Sequence, residues 1–450
     1  MPLAAAISAY HDLLTPALAA ESQGRLEEQL TRRGLYFGDR PLCTVLRPRF
    51  LTPAQYAFLQ ERGRRVLGAF RKAHRAALAQ PSIRAQFRLL DWEEALLADD
   101  PGFDEPSPTS RLDAFFEGED AGLWFTEYNA ETPAGIAYGD VLADVFLALP
   151  VTGEYLKRHA LHPLPARHTV LHVLLDAYRQ WSRGREVPRI AILDWRGVPT
   201  FSEFVLFAEY FRACGVECVI GDPREAEYRN GRLYVEGHPV SLIYKRVLIS
   251  ELVEQGGLDQ PVIRAVRERA VCMVNPFRCK VLHKKTSLAV LSDERNEKLF
   301  TAAERRAIEA HIPWTRTVEE RHTTYRGEPV DLVPFVLDRR EQLVLKPSDD
   351  YGGKGIVLGW EAEPAAWETA LRTALREPYI VQQRVTLPSE PYPSWVDGSL
   401  HVADRMLDTA PFVSHGSYVD GCLTRLSTAA LLNVTAGGGS TVPTFVVERR

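Results

Sequence analysis

The stretch Leu343-Val344-Leu345-Lys346-Pro347-Ser348-Asp349-Asp350-Tyr351-Gly352-Gly353-Lys354-Gly355-Ile356-Val357-Leu358 constrains this chain most. Two apolar runs flank a polar, glycine-rich turn, the pattern of two strands joined by a loop. Glycines let a backbone approach a ligand closely, and successive free N–H groups in such a turn favour an anion. Lys346 ends the first strand and Lys354 sits among Gly352, Gly353 and Gly355, so a nucleotide triphosphate suits the stretch. The alternative is a surface hairpin with solvated lysines, although a lysine ending an apolar strand is unusual for packing.

A second strand, Tyr379-Ile380-Val381-Gln382-Gln383-Arg384, follows across one helix. Emerging into a linker, it can present backbone N–H and C=O groups to an adenine edge, or be a core strand with a polar end. Arg111-Leu112-Asp113 and Glu127-Tyr128-Asn129 form a third group. A period of two puts Glu127 and Asn129 on one face of their strand, with Asp113 supplied by a neighbour. Two carboxylates and an amide oxygen are hard ligands suited to magnesium, and Arg111 would add fixed positive charge. A surface ion pair between Arg111 and the acids is the alternative. Among His401, Asp404, Arg405, Arg425 and Asn433, Arg425 is the candidate for phosphate contact. His401 reads as a surface or core histidine.

The length of 450 residues allows two or three domains. With 54 basic and 59 acidic side chains the net charge is −5, which gives no footprint for nucleic acid. Six cysteines without zinc-ribbon or redox spacing read as packing residues in a reducing compartment. Met1–Ala20 lacks a basic leader, and no apolar run reaches the roughly 18 residues of a membrane helix. A cytoplasmic protein, free of membrane and nucleic-acid partners, is expected; oligomeric state is open.

Up to about Asp100 the pattern is mainly helical. Arg189–Asp194, a helix Glu203–Ala213 capped by Ser202 and ended by Gly215, and Val216–Ile220 form a βαβ start. It lacks the Gly-x-Gly-x-x-Gly of a dinucleotide site, which weighs against an oxidoreductase. Leu242–Arg246 is a further strand, and Asn275 to Asp338 reads as charged and helical, with Lys284, Lys285 and Thr286 opening one helix.

Together these parts resemble the ATP-grasp superfamily, with its lysine strand, glycine-rich lid hairpin, adenine hinge and carboxylate–Glu-x-Asn magnesium site. Here Glu127-Tyr128-Asn129 precedes Lys346, an order that looks like the circularly permuted branch containing the glutathionylspermidine synthetase-like proteins. Phe125–Pro133 looks like that branch's magnesium motif, and Asn275-Pro276-Phe277 followed by Lys285 resembles the entry to its nucleotide lid. The resemblance implies an α/β (α+β) ATP-grasp fold in permuted order. Its parts would be a helical region at 1–103, a first ATP-grasp part at 104–185 and a Rossmann-like pre-ATP-grasp domain at 186–270. The lid and glycine loop would fill 271–395, and the C-terminal part of the sheet 396–450. Residues 1–100 match no part of the synthetase.

What the resemblance implies chemically is an ATP- and magnesium-dependent carboxylate–amine ligase working through an acyl phosphate. Arg111 would be catalytic, and Asp113, Glu127 and Asn129 would hold Mg2+. Lys285, Lys346, Gly352, Gly353, Lys354, Gly355, Gln382, Gln383 and Arg425 would bind ATP. The partners would be a carboxylate and an amine. The alternatives are a non-catalytic ATP-binding protein of the same fold and a phosphotransferase acting on a non-carboxylate acceptor.

Overall fold

The computed structural model describes residues 2–118, 122–184, 186–350, 353–428 and 439–450. Its largest element is a nine-stranded sheet that joins distant parts of the chain. In order it runs Ser389–Val396, Ser399–Leu407, Tyr418–Ser427, Ala410–Ser414, Thr109–Gly118 and Gly122–Asn129. Ser440–Arg449 branches from Tyr418–Ser427 and pairs with Arg49–Leu51 in parallel and with His159–Pro163 antiparallel. Phe412 stands opposite Arg111 and Ser414 opposite Thr109, so early and late strands share one ladder.

Thr109–Gly118 is buried along most of its length, on both faces. The helix Pro53–Ala79 covers one of them, packing Val66 and Phe70 with Leu112, Phe125 and Tyr128. Thr52 and Gln55 form a capping box at its start, with Pro53 in the first turn where its missing N–H costs nothing. The region before Asp100 is mainly helical, as its periodicity predicts, but it also holds Arg49–Leu51. Three residues are too few to display a period of two beside a long helix.

Behind this lies a four-stranded parallel sheet in the order Cys272–Val274, Leu242–Lys245, Ile190–Leu193, Cys218–Gly221. The helix between the last two begins at Phe201, and Thr200 occupies its cap position without a side-chain bond. Ser202, expected as the cap, instead gives its hydroxyl to the carbonyl of Tyr36 at 2.9 Å. The fully buried Glu203 accepts from the backbone N–H groups of Gly135 (2.8 Å) and Ala137 (3.1 Å), docking this helix on the chain just past Asn129.

A second four-stranded sheet is antiparallel: Thr315–Thr317, Tyr379–Gln383, Leu343–Pro347, Val357–Leu358. Trp367, Leu371 and Val336 from two helices pack on Leu345 and Val381. The stretch Asn275–Asp338 is therefore not helical throughout; it holds Thr315–Thr317 and the hairpin His322–Tyr325/Glu328–Asp331. That hairpin turns on Arg326 and Gly327, both at positive φ (52° and 86°), the geometry of a two-residue reverse turn. Charged residues interleaved with short threonine strands masked the alternation. Among the described residues no helix is long and apolar enough to cross a membrane.

Candidate active site

A cavity of about 1000 Å³ opens between the nine-stranded sheet and the lysine hairpin. Asp113 and Glu127 line it from one side; Lys346, Gly353, Gln382 and Gln383 line it from the other; Asp408 and Arg425 complete the wall. Segments more than two hundred positions apart in the chain thus meet around one space.

The register of the first two strands sets Asp113 opposite Glu127 and Arg111 opposite Asn129. Arg111 grips Asp113 with two parallel bonds, Nε to Oδ1 at 2.6 Å and Nη2 to Oδ2 at 2.9 Å, and Nη1 donates to the carbonyl of Ala134 at 2.7 Å. Arg425 reaches the same carboxylate at 2.7 Å and donates to Asp408 at 2.6 Å. Burial alone would raise the Asp113 pKa, but Arg111 and Arg425 outweigh it and hold the group well below the usual carboxylate range. Asp408, also buried, is pushed up by desolvation in spite of Arg425. Arg111, expected to present its charge to a ligand, is committed to orienting Asp113. The ion pair read as its alternative is present, and it is buried rather than superficial.

Lys285 sits 3.2 Å from Glu127 Oε1 and donates to the carbonyl of Asp350 at 2.7 Å, linking the acidic strand to the glycine loop. Burial raises the Glu127 pKa, but Lys285, Lys346 and His283 together outweigh it and hold the group below its ordinary value, so the carboxylate stays ionised. Asn129 Oδ1 is buried without a hydrogen-bond partner. An orphaned amide oxygen on the strand that bears Glu127 fits a hard divalent cation, as does the carboxylate pair. Among the described residues no group of three or more His, Cys, Asp and Glu side chains is arranged for a metal. Asp113 and Glu127 border the cavity, whereas Asn129 is not among its lining residues.

Lys346 gives a hydrogen bond to Gln382 Oε1 at 2.7 Å. Burial, with Lys285 nearby and against the pull of Glu127 and Asp113, lowers its pKa to about 8. Gly353 (φ 79°) lines the cavity, and a Cβ at Gly355 would stand 2.7 Å from Pro347, so that glycine is required by the turn. Lys354 is exposed and takes no part in the lining. Gly352, Asn433, Gly437 and Gly438 fall outside the described residues. Gln383 lines the cavity, with its backbone N–H bound to the carbonyl of Trp314 at 2.8 Å. His401 and Asp404 are exposed and Arg405 is half-buried, all on the hairpin at the edge of the large sheet.

Two residues were not singled out by sequence reasoning. Asp408 follows the strand Ser399–Leu407 with no motif around it. Glu131 continues the period of two beyond Glu127 and Asn129, which was the available signal. It is buried and takes Lys245 and Lys280, both at 3.1 Å, while Lys280 also pairs with Asp349 at 2.7 Å. This one carboxylate links the acidic strand, the parallel sheet and the lysine loop.

No family model matches the chain. It is similar to Putative glutamate--cysteine ligase 2-2 of Frankia casuarinae, 27% identical over 471 residues, covering 95% of this chain and 50% of that protein. Putative glutamate--cysteine ligase 2-3 of Frankia alni matches at 27% with the same coverages. An uncharacterized protein of Mycobacterium tuberculosis is 29% identical over 337 residues, 70% of this chain and 56% of its own. The chain thus spans about half the length of the curated relatives it matches. Its fold is shared with a glutathione synthetase-like effector from Globodera pallida, solved in its apoform, at a TM-score of 0.62 and 12% identity, covering 96% of this chain and 98% of that one.

Proposed function

We propose that the chain is an ATP- and magnesium-dependent ligase that joins a carboxylate to an amine and releases ADP and phosphate. One observation carries the reading: Asp113, Glu127, Lys346, Gln382 and Arg425 border a single cavity. The fold shared with a synthetase-like protein and the similarity to relatives named as ligases support the same general chemistry. Permuted strand order is part of the proposal. Residues 104–185 and 396–450 would build the metal side, 271–395 the nucleotide side and 186–270 a substrate domain, with 1–103 supporting them.

Val344, Ile356, Leu358, Leu387 and Met406 give the cavity an apolar flank suited to a purine, close to Gln382 and Gln383. Lys346, Lys285, Arg425 and the N–H groups of Gly353 and Gly355 are the groups for the phosphates; Lys354, exposed outside the lining, would reach them only if the loop moved. Asp113, Glu127 and Asn129 would hold magnesium, which would supply positive charge to offset that of the phosphates. A substrate carboxylate oxygen attacks the γ-phosphorus as the bond to ADP breaks. An amine then attacks the acyl carbon, phosphate leaves with its bonding electrons, and the nitrogen loses a proton. Arg425, on the cavity wall, offers positive charge to the phosphoryl oxygens, while Arg111 acts through Asp113 by fixing its direction. Closure of the glycine loop excludes the water that would hydrolyse the acyl phosphate.

The test is ADP release with magnesium over a panel of carboxylates and amines, with glutamate and cysteine as the first pair because of the relatives' names. Release that needs both partners supports the ligase. A stable phosphorylated product formed without an amine would establish the phosphotransferase instead, and ATP binding without release in any pairing would leave a non-catalytic binder. Glu127→Gln and Asn129→Ala should each raise the magnesium concentration needed to bind a nonhydrolysable ATP analogue by at least about tenfold, a loss that even outer-sphere changes produce. Calorimetry showing an unaltered magnesium dependence would remove these residues from the metal site.

A further inference from the structure

We infer that Thr315 and Gln382 form an oriented relay that positions the Lys346 ammonium at the cavity. Lys346 Nζ donates to Gln382 Oε1 at 2.7 Å, and Gln382 Nε2 donates to Thr315 Oγ1 at 3.0 Å. The Thr315 hydroxyl in turn donates to the carbonyl of Pro313 at 2.7 Å. A hydroxyl has one hydrogen, and this one is already directed at Pro313, so toward Gln382 the oxygen can only accept. The amide end bearing hydrogens must then face Thr315, which turns the carbonyl end to the lysine. The direction of every bond is fixed by its neighbour.

The backbone supports the same arrangement. Thr315 and Gln382 are register partners on adjacent strands, and both are at most 1% exposed. Ser292 clamps Thr315, its hydroxyl donating to the Thr315 carbonyl at 2.8 Å and accepting from the Thr315 N–H at 3.1 Å. Ser292 ends the helix that Lys285 begins. Lys346, at the cavity, and Lys285, paired with Glu127 on its wall, are therefore tied to one short helix, the second directly and the first through three side chains.

A neutral amide serves this purpose better than a carboxylate. A lysine carries three donors on a flexible stem, so one fixed acceptor removes much of its freedom while two donors stay open to an anion. A carboxylate would hold the ammonium harder and compete with phosphate for it. Gln382 thus fixes the lysine without discharging it. Its two amide ends are taken by Lys346 and Thr315, so its part in nucleotide binding is to position the lysine.

The geometry does not depend on ATP, but its consequence rests on the nucleotide reading above, so two measurements are needed. The pH profile of Lys346 reactivity toward an amine-modifying reagent, read on its peptide by mass spectrometry, reports the relay in the free protein. The KM for ATP reports the consequence. Thr315→Val should move the reactivity profile to lower pH and raise the KM about tenfold, and Thr315→Ser should restore both. Gln382→Glu should move the profile to higher pH by about one unit or more, and it carries the test if Thr315→Val does not fold. An unmoved Lys346 profile in a folded Thr315→Val or Gln382→Glu protein overturns the relay. A moved profile with an unchanged KM upholds the relay and overturns the nucleotide reading.

Discussion

Replacing Lys346 by methionine is expected to lower kcat/KM for ATP by about 10²–10³-fold, the range for removing one preorganised donor from a developing charge. Methionine keeps the length of the side chain, and the protein loses one side-chain hydrogen bond, that to Gln382. Folding should survive and turnover should not. The same lysine sets the pH dependence. Its pKa of about 8 in the folded chain, lowered mainly by burial, means it carries its charge below that pH and loses it above. Because kcat/KM follows groups of the free enzyme, the wild-type value should fall as pH rises through about 8. Lys346→Arg, which stays charged, should move that falling limb beyond the assay range. For stability the sign is opposite. Between about 8 and 10.5 the folded chain binds fewer protons at this site than the unfolded one, so this group's contribution to stability rises with pH there. Kinetics of Lys346→Met within twofold of wild type would remove the lysine from the site.

Glu131→Gln is expected to destabilise the fold by about 3–5 kcal/mol, the loss typical when one partner of a buried pair is removed. Lys245 and Lys280 are buried, and the neutral amide would leave both short of their counter-charge. Burial pushes the Glu131 pKa up, but Lys245, Lys280 and His283 together bring it far below its ordinary value of 4.5. Such a depressed carboxylate stabilises the fold fully above about pH 4.5, and that contribution is lost as pH falls through the lower, folded-state value. The denaturant midpoint should therefore drop strongly at pH 7, with a smaller gap between variant and wild type in acid. Removing Arg196, whose partners Glu225 and Glu236 are exposed, should leave the midpoint unchanged and serves as the control. An unshifted midpoint in Glu131→Gln would mean that the two lysines find other partners.

The parts of the site that the sequence displayed are those written in short range. Lys346 could be read because a charged residue ended an apolar strand and glycines followed. Glu127 and Asn129 could be read because a period of two puts them on one face, and the strand Gly122–Asn129 bears this out. The strands Ile190–Leu193 and Leu242–Lys245 announced themselves as continuous apolar runs, as buried parallel strands do. What was hidden depends on partners far along the chain. Lys280 and Lys284 lie in a stretch that reads only as charged and helical, yet they are buried against Glu131 and Glu93. Ser202 looked like a cap and became a tether to Tyr36, because Thr200 and Phe201 already open the helix. Gln382 read as part of a strand offering its backbone to an adenine edge; only the hydroxyl of Thr315, on another strand, shows where its side-chain amide points.

Asp113 and Arg425, which share a 2.7 Å bond, are 312 positions apart. A ribosome delivers the first long before the second. Until Ala410–Ser414 emerges, Thr109–Gly118 has an open edge on the side that strand later covers, and Arg49–Leu51 awaits Ser440–Arg449 in the same way. Exposed edges of this kind invite pairing with other chains, and long-range ladders assemble slowly. Nascent chains should therefore lean on chaperones until Ser440–Arg449 has been made, and the cavity that Asp113 and Arg425 share should close only after the later strands are in place.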